Sequence, residues 1–131
     1  MPKTSKTTAS ATVKAEGYEG YQEKLEGGYF VSIERYTSDF DLTPFFKGLA
    51  DDRCICEHWG YVLSGTITYK TARGEETFAA GDAFYVAPGH THVLTKGGEM
   101  VEFSRTAEHD RVAEVVRKNM EAEGHRVTGV A

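Results

Sequence analysis

The 131-residue chain carries 20 acidic and 15 basic residues, a net charge of −5, with 40% apolar residues, 14 glycines and two cysteines. That length suits one domain, and the acidic balance argues against a nucleic-acid binder, which needs a basic stripe to neutralise phosphates. No apolar run approaches the roughly 20 residues that span a bilayer, so neither a nucleic acid nor a membrane is expected as a partner.

The opening MPKTSKTTASATVK is basic and rich in Ser and Thr. It lacks apolar periodicity, so residues 1–16 are predicted to be a flexible tail. It also lacks the apolar middle of a secretory signal, which makes the cytoplasm the expected compartment. A short helical or irregular piece is expected over 18–26, closed by Gly27-Gly28. Residues 29–36, YFVSIERY, are rich in β-branched and aromatic side chains and read as a first strand. Residues 37–52 read as a loop, with Pro44-Phe45-Phe46 as an apolar plug on a turn.

From Arg53 onward short strands alternate with turn signals. Strands are predicted at 53–56, 59–63, 65–71, 76–78, 83–86, 91–95 and 100–104. Turns fall at Ser64-Gly65, Ala72-Arg73-Gly74, Gly81-Asp82, Pro88-Gly89 and Gly97-Gly98. This spacing indicates an all-β sandwich or barrel. Tyr29, Tyr36, Tyr69, Phe84, Tyr85 and Phe103 are expected mainly in its core, while Trp59, next to His58, should face the other way. After Thr106, a predicted N-cap, residues 107–123 read as an α-helix. Val112, Val115, Val116 and Met120 form one apolar stripe, and Gly124 is the stop. The expected organisation is a tail over 1–16, a barrel over 17–106, and a C-terminal helix and tail over 107–131.

Chemistry concentrates in two places. Cys54-Ile55-Cys56-Glu57-His58 sets two thiols and an imidazole at alternate positions, which share one face of a strand. His90 and His92 repeat the alternation. Singly, a buried Cys is a small hydrophobe; two alternating sets together point to a metal. Thiolates and imidazoles suit Zn²⁺ first, with Fe, Mn or Ni as alternatives. The candidate ligands are Cys54, Cys56, His58, His90 and His92. A disulfide between cysteines one residue apart would close a strained ring. No nucleophile triad or phosphate loop is evident, and no catalytic residue is assigned.

The segments Cys54–Tyr69 and Gly81–His92 resemble the two motifs of the cupin superfamily. The second motif, G-x5-P-x-G-x2-H-x3-N, is met by Gly81, Gly89 and His92, with proline moved one place to Pro88 and Lys96 in the Asn position. The first motif, H-x-H-x3-E-x6-G, counted back from Gly65, places His58 at Glu, Cys54 at the second His and Asp52 at the first. The resemblance covers roughly residues 30–104. It implies a cupin, or double-stranded β-helix (jelly-roll), barrel with the C-terminal α-helix added, and a metal at Asp52, Cys54, His58 and His92. Motif counting and strand alternation therefore agree on Cys54, His58 and His92. Asp52 and Cys56 stand as alternatives, and His90 is a ligand, a neighbour of the ligands, or an acid/base.

Two thiolates would neutralise a divalent ion and suit a closed structural site; one thiolate with imidazoles leaves room for an open position. Three functions follow. The first is a metal-dependent enzyme on a small molecule, of the oxygenase, isomerase, decarboxylase or lyase kinds that the resemblance implies. The second is a ligand or metal sensor, and the third a metal-braced structural domain. The apolar helix stripe is expected to pack on the barrel or on another subunit, and a homodimer is expected because the stripe needs a partner surface and the resemblance implies pairing.

Overall fold

The computed structural model describes residues 2–129; Met1, Val130 and Ala131, the ends of the two expected tails, lie outside the described residues. Among the described residues, ten strands, β1 (Ala11–Ala15), β2 (Tyr18–Leu25), β3 (Tyr29–Tyr36), β4 (Phe40–Asp41), β5 (His58–Ser64), β6 (Thr66–Thr71), β7 (Gly74–Ala79), β8 (Ala83–Val86), β9 (Thr91–Leu94) and β10 (Glu99–Arg105), precede one α-helix, α1 (Thr106–Ala122). They form two antiparallel sheets, a six-stranded one in the order β1-β2-β3-β10-β5-β8 and a four-stranded one in the order β4-β9-β6-β7. Among the described residues, no helix is long and apolar enough to cross a membrane.

Alternation sets the layers. In β10, Met100, Glu102 and Ser104 are buried while Phe103 and Arg105 are exposed; in β3, Phe30, Ser32, Glu34 and Tyr36 share the inner face. Tyr36, Val62, Ile67, Tyr69, Phe84, Val86, Leu94 and Met100 fill the space between the sheets. A second, smaller core joins Phe46, Leu49, Cys54 and Cys56 to Val112 of α1, with Val115 and Val116 packed against it. Asn119 pins α1 by donating to the carbonyls of Phe45 at 2.7 Å and Lys47 at 2.8 Å. The helix stops as expected: Gly124 takes φ +84°, and the His125 amide returns to the Met120 carbonyl at 2.9 Å.

Several expectations are corrected. Residues 11–15 are not tail: β1 pairs with β2 along its whole length, from Ala11–Gln22 to Ala15–Tyr18. Its inward side chains are small and its outward ones polar, so pairing rather than hydrophobicity makes it a strand. Tyr18–Leu25 is likewise a strand, held between β1 and β3. Residues 53–56 are not a strand; only Cys54 forms a bridge, with His90. Tyr29, Tyr85 and Phe103, expected in the core, are 41%, 47% and 40% exposed. The registers Arg105–Tyr29, Phe103–Trp59 and Trp59–Tyr85 put them on the outer face of the large sheet. The α1 N-cap is Arg105, with no side-chain cap, and the Thr106 amide instead donates to the Gly28 carbonyl at 2.8 Å.

Gly65, which ends the first motif, turns β5 into β6 at φ +62°, and a Cβ there would meet the Gly97 carbonyl oxygen at 2.6 Å. Gly65→Ala should therefore lower stability by about 2 kcal/mol or more, read as a lower urea midpoint at unchanged slope.

Candidate functional site

The loop before β5 brings the two thiols together. The Cys54 amide donates to the His90 carbonyl at 2.7 Å, and the Gly89 amide to the Cys54 carbonyl at 2.8 Å, so this loop is tied to the turn that starts β9. The chain then folds back, and the Cys56 amide donates to Cys54 Sγ at 3.5 Å. His58, the first residue of β5, sets its Nε2 at 3.8 Å from Cys54 Sγ. The donor atoms of Cys54, Cys56 and His58 all lie within 4.8 Å of one another, and all three residues are buried. Strand alternation thus grouped three residues that the structure also brings together, although a folded loop rather than a strand gathers them.

His58 is held from behind. Its Nδ1 contacts Ser104 Oγ at 2.7 Å and pairs with the Glu102 carboxylate, both on β10. Tyr69 Oη donates to the other Glu102 oxygen at 3.2 Å. Burial opposes a charged His58, but Glu102 and Cys54 outweigh it and raise its pKa to about 10. Burial pushes the Glu102 carboxyl up, and the His58 charge, with smaller help from His92 and His90, holds it below its usual range. The Cys54 thiol lies well below its ordinary value, chiefly through its hydrogen bond with Cys56 and then through His58 and His90. Cys56 moves up, because it shares that bond and faces the Cys54 charge in a buried place.

His90 and His92 lie outside the close group of three. His90 Nδ1 donates to the Ala87 carbonyl at 2.7 Å, which leaves Nε2 as the ring nitrogen that can meet the Cys54 thiol, and its ring centroid is 4.9 Å from that of His58. His92 stacks on its cross-strand partner Tyr69 at 4.5 Å, and its Nε2 is buried with no hydrogen-bond partner among the described residues. Burial lowers the His92 pKa to about 4, so it is neutral near pH 7. Asp52 does not join the site. It is exposed, at φ +54°, and its carboxylate caps the Gly48 amide at 3.0 Å. The first motif is broken by that local turn.

Motif reading missed two buried carboxylates. Glu102 is one. The other, Glu34 on β3, accepts from Tyr36 Oη at 2.7 Å, Tyr18 Oη at 2.8 Å and Ser32 Oγ at 2.8 Å. Burial and the nearby Glu102 charge raise its pKa to about 7 despite those three donors. A signal existed in the sequence: Ser32-Ile33-Glu34 and Met100-Val101-Glu102 each put an acid on the same face as core residues. His109 of α1 was also missed. It stacks on Phe30 at 3.6 Å, and burial lowers its pKa to about 4.

A metal fits the donor set. With Zn–S of about 2.3 Å and Zn–N of about 2.0–2.1 Å, a tetrahedral S···N edge is about 3.6 Å, and the Cys54–His58 separation is 3.8 Å. Histidines that ligate metals characteristically donate their other nitrogen to a carboxylate, as His58 does to Glu102. The unpartnered Nε2 of His92 is a further nitrogen donor in the same interior.

No family model matches the sequence, and no curated protein matches it. Solved structures do resemble it. An RmlC-like cupin from Shewanella frigidimarina aligns at TM-score 0.58 and 15% identity, covering 83% of this chain and 94% of that one. Ectoine synthase from P. lautus aligns at 0.58 and 12%, covering 85% and 86%. The polyketide cyclase RemF from Streptomyces resistomycificus aligns at 0.56 and 14%, covering 81% and 80%. Identities this low speak for the fold alone.

The half-buried, neutral His109 makes a prediction about acid. Its folded pKa of about 4 lies below its ordinary 6.5, so between those values the unfolded chain takes up a proton that the folded chain refuses. Its contribution is intact above pH 6.5 and is lost as pH falls toward 4. His109→Phe, which keeps a ring on Phe30, should lose less stability than the wild type between pH 7 and 4. The expected difference is on the order of 2 kcal/mol, measured by urea unfolding at each pH.

Proposed function

Because the chain has the cupin fold, with two stacked antiparallel sheets and a buried Cys–Cys–His group between its second core and its barrel interior, we propose that it is a metal-binding small cupin acting on or holding a small organic molecule. One divalent transition ion, Zn²⁺ by preference, takes Cys54, Cys56 and His58 as ligands, and His92 or His90 is the available fourth. The observation that carries this reading is the Glu102–His58–Cys54 line: a carboxylate fixes Nδ1, so Nε2 is turned to a thiolate. Soft sulfur donors favour Zn²⁺ over Mn²⁺. The cytoplasm, where thiols stay reduced, suits such a site.

When bound, the ion would supply Lewis acidity toward an oxygen atom of the organic molecule. The chain's own residues do the rest. Glu102 holds His58 in one tautomer. Glu34, with a pKa of about 7, takes or gives a proton near neutral pH at carboxylate oxygens that Tyr18, Tyr36 and Ser32 keep oriented. Burial of all three close donors favours a second reading, in which the ion is fully enclosed by protein and only braces the fold.

Cobalt substitution tests both readings. Co²⁺-loaded protein should show thiolate charge-transfer bands that weaken in Cys54→Ser and in Cys56→Ser. Added azide should shift the spectrum if a coordination place is open and leave it unchanged if the site is closed. Glu102→Gln should weaken metal binding by roughly 10–100-fold in a chelator competition. Protein that takes up no stoichiometric metal, and gains no thermal stability from Zn²⁺, Fe²⁺, Mn²⁺ or Ni²⁺, would refute the metal.

The outer face of the large sheet supports a homodimer. Tyr29, Trp59, Tyr61, Leu63, Tyr85 and Phe103 are each 38–48% exposed there, together roughly 500 Å² of apolar surface at about 150–250 Å² per aromatic side chain. That is the upper range of a monomer's largest patch. With its rim it approaches the ~800 Å² per partner of a standard interface. Sedimentation should show a dimer that Trp59→Glu converts to monomer; a wild-type monomer at high concentration would end this reading.

A further inference from the structure

The inner core draws on β3, β5, β8 and β10 of the large sheet, so β1 and β2 extend beyond it. Helix α1 lies over that extension, and between them is a cavity of about 470 Å³. This volume falls within the range of small-molecule sites. Val13, Phe30, Val112, Val116 and Met120 supply apolar wall. Tyr18, Gln22 and His109 supply polar wall. Neither Cys54, Cys56 nor His58 lines it.

Two features point to a ligand. The first is unmet hydrogen bonding. His109 Nδ1 and Arg117 Nε are buried on this wall with no partner among the described residues, and a buried polar atom without a partner is costly. The second is a relay that ends at the cavity. Gln22 Nε2 donates to Tyr18 Oη at 3.1 Å, and Tyr18 Oη donates to Glu34 at 2.8 Å. A group placed against Gln22 and Tyr18 therefore touches the outer end of a chain that leads to the buried acid.

Charge narrows the ligand class. Lys24 is held by Asp110 at 3.4 Å and Arg117 by Glu121 at 2.9 Å, while Glu16 and Glu114 add negative charge to the wall. An anion would find there no cation without a carboxylate partner, although Arg117 Nε keeps an unused donor. His109 is neutral near pH 7 and offers one donor or acceptor rather than a charge. We propose that the cavity beneath α1 binds an uncharged, mainly apolar small molecule whose single hydroxyl or carbonyl group faces His109, Gln22 and Tyr18. The site goes beyond the metal reading and needs no bound ion.

Titration of the full-length protein with prodan, an uncharged naphthyl ketone whose emission reports polarity, tests this. Binding should be saturable at one equivalent per chain, with blue-shifted emission, and should be equal before and after metal removal by chelator. Ala113→Trp fills the cavity from the helix and Val13→Phe from the sheet; each should weaken binding at least tenfold. His109→Phe should weaken it about three- to tenfold. Trp59→Ser, on the outer sheet face, should leave it unchanged. If one filling variant fails to fold, as judged by far-UV circular dichroism, the other decides. The proposal is overturned by an absence of saturable binding, by binding that survives a folded filling variant, by binding lost in Trp59→Ser instead, or by tighter binding of the anionic dye anilinonaphthalene sulfonate. Dependence of binding on the metal would also overturn its independence from that site.

Discussion

A carboxylate in the barrel interior sets the terms for everything around it. Glu102 is buried between the sheets, where an unpaired charge would be prohibitively expensive. It survives because His58 pairs with it and Tyr69 donates to it. Removing one member of such a buried pair costs several kcal/mol, because the other is left charged and dry. The pairing has a directional effect as well. With Nδ1 committed to β10, the imidazole has one way to face, and Cys54 lies on that side.

The thiols depend in turn on α1. Cys54 and Cys56 belong to the small core that Val112, Val115 and Val116 complete. Without the helix, the loop over 53–57 would have its bridge to His90 and little apolar cover. Asn119 strengthens the docking by binding two carbonyls of the Phe45–Lys47 turn, which carries the Phe46 side chain of the same core. One helix thus closes the cysteine core and roofs the overhanging strands. Its face serves two neighbouring spaces of opposite character, a filled core beside the thiols and an open cavity beside β1 and β2.

The polar interior is organised as two acids with different duties. Glu102 is drawn down by the imidazole beside it, whereas Glu34, surrounded only by hydroxyl donors, is raised to about 7. Environments that push paired acids apart are a recurrent way to obtain one fixed charge and one mobile proton in a small volume. Three tyrosines, Tyr18, Tyr36 and Tyr69, link these acids to the walls. They keep their own protons, since burial and the carboxylates beside them raise each one.

Much of this was legible in the residues. Period-two alternation with glycine turns predicted the β architecture, the valine stripe predicted α1, and Cys-x-Cys-x-His marked the three residues that the structure gathers. These signals are local: a strand's period, a helix's period, a motif's spacing. Strand β1 was not legible, because Ala11, Val13 and Ala15 are too small to announce a buried face and become a strand only by pairing with β2. Nor was the separation of Asp52 from the site, which turns on two consecutive positive φ angles at Asp51 and Asp52. The exposure of Tyr29, Tyr85 and Phe103 depends on which face of the large sheet each register selects, and composition is blind to that choice. By itself the sequence determined which chemistry was present and in what periodicity. Only tertiary structure decided which acid would stand behind His58, because Glu102 is 44 residues away in the chain and adjacent strands, not adjacent residues, bring it there.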